Sequence, residues 1–143
     1  MKAAILFESL TGNTRRAGEL IAAGLQQEGW GITGVSPVRR PEMQSIQDAD
    51  MVVVGTWVHG LFVVGQAPWG LGAIQHLPAM RGKRAATFCT FALNPGRTLD
   101  RLGEAVRSVG ADVVGGVALH RSRLEAHAEE FVGRLVAGVT TAT

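Results

Sequence analysis

Met51-Val52-Val53-Val54-Gly55 is apolar at every position, and so is Ala3-Ala4-Ile5-Leu6-Phe7. A strand with one wet face alternates apolar and polar residues, so a run without a polar position has to be covered on both faces. A parallel sheet held between two layers of helix meets that condition. Each parallel connection must then cross back through a helix, and strands should alternate with amphipathic segments along the chain.

That alternation is present. Behind the first strand, Ala17, Leu20, Ile21, Gly24 and Leu25 recur at helical spacing, up to a stop at Glu28-Gly29-Trp30-Gly31. Ile32–Ser36 is a weaker strand suited to a sheet edge, Pro37–Pro41 is a loop, and 42–48 holds one or two helical turns. After the strand at 51–55, residues 56–70 read as a long loop, because Trp57, His59, Phe62, Trp69 and the glycines among them show no helical period. A helix is expected somewhere in 67–77, through Leu71, Ile74 and Leu77, with Pro78 closing it. Ala85–Phe91 is the fourth strand, followed by turn chemistry in Ala92-Leu93-Asn94-Pro95-Gly96. A helix then uses Leu99, Leu102, Ala105, Val106 and Val109 on one face and ends at Gly110. Asp112–Leu119 is the fifth strand. A last helix runs from about Ser122 to Ala137, with Leu124, Phe131, Leu135 and Val136 inward and a frayed tail from Gly138. The expected fold is α/β: a single domain over 1–143, a three-layer α/β/α sandwich on a five-stranded parallel sheet of order 2-1-3-4-5.

In that order the ligand crevice lies outside the C-terminal ends of strands one and three. Three informative loops emerge there: 9–14, 56–70 and 90–96. The first, Ser9-Leu10-Thr11-Gly12-Asn13-Thr14, joins a buried strand to a helix N-terminus. Backbone N–H groups, the positive end of the helix dipole and the Ser and Thr hydroxyls together suit a phosphate, and Gly12 allows close approach. The same residues also read as a simple capped helix start.

The rest of the composition narrows the chemistry. The net charge of +2 and pI of 9.3 rest on a small excess of basic residues. Those residues fall on separate segments with no aromatic platform between them, which argues against nucleic acid. Cys89 is the one cysteine, so no internal disulfide forms, and no metal-ligand spacing exists. Inside an apolar strand it reads as a small buried hydrophobe. No stretch reaches membrane-spanning length, the apolar start is too short for a signal peptide, and the expected compartment is the cytoplasm. Trp30 and Trp69 read as packing residues, Arg15 and Arg16 as solvated side chains. The run Leu61–Val64 could be core, site wall or docking patch, and His59 either tunes a ligand or is an idle loop residue.

The motif Ser9-Leu10-Thr11-Gly12-Asn13-Thr14, set between strand and helix, resembles the phosphate loop of the flavodoxin family, and Gly55-Thr56-Trp57 is similar to the family's second loop. The resemblance runs over the whole chain, in the short-chain form without an insertion in the fifth strand. It implies FMN held without a metal. The phosphate would lie on Ser9, Leu10, Thr11, Gly12, Asn13 and Thr14. The isoalloxazine would lie between Thr56, Trp57, Val58, His59 and Gly60 on one side and Thr90, Phe91, Ala92 and Asn94 on the other. Trp57 would stack on the ring, and Gly60 would permit the peptide flip that meets reduced flavin N5. The chain departs from the family in having no tyrosine, an apolar second loop and a mildly basic charge. Phe91, Trp57 or Phe62 would therefore cover the outer flavin face.

The leading expectation is a carrier of single electrons from a reductase to an acceptor enzyme, with no catalytic residues of its own and an undetermined oligomeric state. The alternative is a flavodoxin-fold FMN oxidoreductase acting directly on a quinone or small substrate. A third reading is a flavin-free interaction domain.

Overall fold

Successive residues of the central strands go to opposite cores, as two-sided burial requires. In β1 (Lys2–Phe7) and β3 (Met51–His59), Ala3, Ile5, Met51 and Val53 enter one core while Ala4, Leu6, Val52 and Val54 enter the other. These two strands lie side by side at the middle of the sheet. The computed structural model describes residues 1–8, 12–59, 67–68, 74, 77–78, 80–92 and 96–142.

The first core is closed by α1 (Asn13–Gln27) and the final helix α4 (Leu124–Ala142). Ala17, Ile21 and Leu25 meet Leu124, Ala128, Phe131, Val132 and Leu135 there, over Phe88 of β5 (Arg84–Phe91). The second core lies under α2 (Met43–Asp48) and α3 (Thr98–Ser108), which contribute Ile46, Leu102, Ala105 and Val106. Burial of a Leu, Ile or Phe side chain contributes about 1.5–3 kcal/mol, so either helical layer is held by its apolar stripe.

With β2 (Gly31–Pro37) and β6 (Asp112–His120) at the edges, the parallel strands run β2-β1-β3-β5-β6. Counted along the chain this is the expected 2-1-3-4-5 order, with helices on both faces.

Three expectations are corrected. β3 does not end at Gly55 but continues to His59, so Thr56, Trp57, Val58 and His59 lie on a strand and not in a loop. The reason is pairing: Thr56 and Trp57 stay in register with Cys89 and Thr90, and Val58 and His59 pair antiparallel with Pro68 and Ala67 of the two-residue β4 (Ala67–Pro68). Ala67–Pro68, near the end of the loop read over 56–70, is therefore strand as well, and the helix expected somewhere in 67–77 does not include these two residues. Farther on, Ile74 is helical and buried, and Leu77 is buried. Last, α4 does not fray at Gly138 but stays helical to Ala142.

Candidate functional site

Helix α1 opens at the C-terminal end of β1, as the crossover demands. Its N-cap is Gly12, held at φ 93°, a left-handed conformation that disfavours any residue with a Cβ. Nothing described lies within 4 Å of the place such a Cβ would occupy. Gly12 brings no side chain to the helix start, and the first turn carries no acidic residue to complement the dipole. It carries Arg15 and Arg16 instead, which the dipole alone disfavours. Both are exposed, and they pair outward with Glu19 at 3.0 Å and with Glu125 at 2.8 Å, as the solvated reading expects. A helix start with a glycine N-cap and no acidic first-turn residue is compatible with a phosphate. Ser9, Leu10 and Thr11 lie outside the described residues.

Thr14 and Thr90 tie this helix to the sheet. Their hydroxyls meet at 2.8 Å, with Thr14 1% and Thr90 3% exposed, so α1 is fixed to the end of β5 beneath the rim. One hydroxyl donates to the other, which leaves the second proton and further lone pairs for another group. Replacing Thr14 alone with valine leaves the Thr90 hydroxyl buried without this partner. The expected loss is about 1–2 kcal/mol in denaturant unfolding. The Thr14→Val/Thr90→Val pair should lose less than the sum of the single variants; strict additivity would show that the two hydroxyls do not interact.

Beside Thr90 stands Trp57, directly opposite in the β3–β5 register and half-buried. Thr56 is fully buried. Gly60, Leu61–Val64, Trp69 and Asn94 lie outside the described residues, as does Phe62 among the aromatic candidates. Phe91 and Ala92, at the end of β5, are half-buried. The Phe91 ring stands edge-on to the His120 imidazole, with centroids 5.1 Å apart and planes at 85°. Trp57 and Phe91 thus flank the same β5 end that Thr14 reaches.

Cys89 is fully buried, and burial pushes its thiol from 9.0 up to about 12. A thiol held protonated is no nucleophile, in keeping with its place as a small apolar side chain. Trp30 packs in the first core.

The turn after β6 belongs to the same edge, although its residues form no recognisable motif. The signal that finds it is topological: it follows the C-terminal end of a parallel strand. Arg121 N–H donates to the Phe91 carbonyl at 2.9 Å, which sets the turn against the β5 end. His120 N–H donates to His127 Nδ1 at 3.0 Å, and Ser122 N–H to His120 Nδ1 at 3.2 Å. Between this turn and α1, Asn13, Arg16, Arg121, Ser122, Arg123 and Glu125 line an open cleft of about 630 Å³.

Among known proteins, residues 4–103 match the family model described as a flavodoxin domain. No curated protein matches the chain. Solved structures match along nearly the full length. Oxidised Flavodoxin 1 from Bacillus cereus is 22% identical with a TM-score of 0.70, over 96% of this chain and 98% of that one. The flavodoxin of Streptococcus pneumonia TIGR4 is 21% identical with a TM-score of 0.67, over 94% and 99%. Rubredoxin oxygen:oxidoreductase from Desulfovibrio gigas is 20% identical with a TM-score of 0.67, over 96% of this chain and 37% of that chain. At these identities the likeness is one of fold.

Proposed function

The chain belongs to the flavodoxin domain family, and from that membership we propose a carrier that takes single electrons from a reductase and passes them to an acceptor enzyme. The family makes it an FMN-type electron-transfer protein. When bound, FMN supplies a ring system that accepts and returns electrons one at a time.

In this reading the start of α1, with Gly12, Asn13 and Thr14 and the preceding Ser9–Thr11, holds the phosphate. Thr90, Phe91 and Ala92 on β5 and Thr56–His59 on β3, with Gly60 and Asn94, border the ring. Trp57 offers a rigid aromatic face, and the Thr14–Thr90 bond holds the phosphate end and the ring end in fixed relation. The observation that carries the reading is the start of α1, a left-handed glycine N-cap with no acidic first-turn residue, at the same sheet edge as Trp57 and Phe91.

The test is the visible spectrum of the purified protein, with release and identification of the chromophore. Flavin bands, FMN on release, and reduction in two separable one-electron stages are the expected results. Reduction only in a single two-electron stage, or turnover of NAD(P)H or a quinone without added reductase, would instead favour direct oxidoreductase action. A colourless protein that fails to take up added FMN would overturn both.

A further inference from the structure

We infer that the turn after β6 presents Arg121 and Arg123 as a docking rim for an acidic surface on the protein that exchanges electrons with this chain. The inference rests on the carrier reading above, and it concerns which partner is admitted.

Four hydrogen bonds fix the turn. Arg121 N–H reaches the Phe91 carbonyl and Arg123 N–H the His120 carbonyl, each at 2.9 Å. Ser122 contributes its N–H to His120 Nδ1 at 3.2 Å, and its Oγ lies 2.7 Å from the same nitrogen. Arg121 and Arg123 are therefore held two residues apart on an ordered backbone, and docking need order only their side chains. Both are exposed, and neither has an ion pair among the described residues.

The neighbouring charges leave this excess standing. The acidic residue that lines the cleft, Glu125, already faces Arg16 at 2.8 Å. Arg121 is anchored to the carbonyl of Phe91, so the positive rim adjoins the edge proposed to exchange electrons. Rim charges act mainly on the encounter: they attract an oppositely charged face, repel a like one, and weaken with salt.

The experiment mixes the anaerobically reduced, FMN-loaded protein with ferric cytochrome b5, an acidic haem protein, or ferric cytochrome c, a basic one. In either reaction one electron leaves the reduced flavin and converts haem Fe(III) to Fe(II). The rate onto the acidic protein should fall as salt rises from about 10 mM to about 0.3 M. Arg121→Glu/Arg123→Glu should lower the low-salt rate about tenfold, flatten its salt dependence and speed reduction of the basic protein. Titration of the two oxidised proteins, followed by NMR line broadening, should show the same loss of association without electron transfer. Unchanged FMN affinity and circular dichroism in the variant would confirm that its fold and flavin seat are intact. A salt-independent rate onto the acidic protein, a variant that keeps the parental salt dependence, or a faster low-salt reaction with the basic protein would overturn the rim while leaving the carrier reading in place. If reduced flavin passes no electron to either haem protein, the carrier reading falls and the rim with it.

Discussion

Gly55→Ala is expected to destabilise the protein by about 3 kcal/mol and to lower the thermal midpoint by about 10 °C. Gly55 lies opposite Phe88 in the β3–β5 register, and a Cβ at Gly55 would fall within the van der Waals envelope of the Phe88 ring. The ring cannot swing clear. Phe88 is fully buried beneath Gly18 of α1, in the core shared with Phe131. The substitution therefore pushes apart two central strands or forces the ring from its rotamer, and either cost is large in a close-packed interior. Phe88→Leu makes the decisive companion. Alone it should cost about 1–2 kcal/mol through the void it leaves, whereas in the Gly55→Ala background it should restore part of the lost stability. A midpoint within about 2 °C of the parent for Gly55→Ala would refute the packing account.

Asn13→Asp should move stability and FMN affinity in opposite directions. Asn13 is the first residue of α1, and the first turn has no acidic residue. A carboxylate there complements the helix dipole, so the flavin-free protein should gain about 0.3–1 kcal/mol at low salt. The same charge faces the proposed phosphate seat, and like charges in a partly desolvated site repel strongly. FMN affinity should fall about 100-fold by fluorescence-quenching titration. A general structural defect would lower both quantities, and a phosphate bound elsewhere would leave affinity unchanged. Only a phosphate at this helix start separates them.

The central architecture is legible in the sequence because it follows from burial alone. Ala3–Phe7 and Met51–Val54 have no polar position, and only a two-sided parallel sheet hides them. The same parallel order puts the C-terminal ends of β1, β3 and β5 at one edge. What local pattern does not contain is the partner that a segment will find. Thr56–His59 has a strand composition, but it becomes strand because β5 lies on one side and Ala67–Pro68 returns on the other. Gly138 interrupts the pattern of the last helix, and the helix nevertheless runs on to Ala142. The Thr14–Thr90 bond joins residues 76 positions apart, so neither threonine announces its partner. Gly55 reads as the end of an apolar run; only the register reveals that it makes room for Phe88. Arg121 and Arg123 look like two more scattered basic residues until the topology sets them beside Phe91.

The pairing of the first helix with the last bears on how the molecule is made. Residues of α1 pack against Phe131, Val132 and Leu135, and Arg16 at the start of α1 bonds Glu125. A ribosome delivers α1 long before α4, so the apolar stripe of Ala17, Ile21 and Leu25 waits uncovered through most of synthesis. Strand β1, placed between β2 and β3, likewise waits for its second neighbour. Early chaperone contact should accordingly fall on this N-terminal stripe, and the helix that begins the phosphate seat becomes fully supported only when the final twenty or so residues dock.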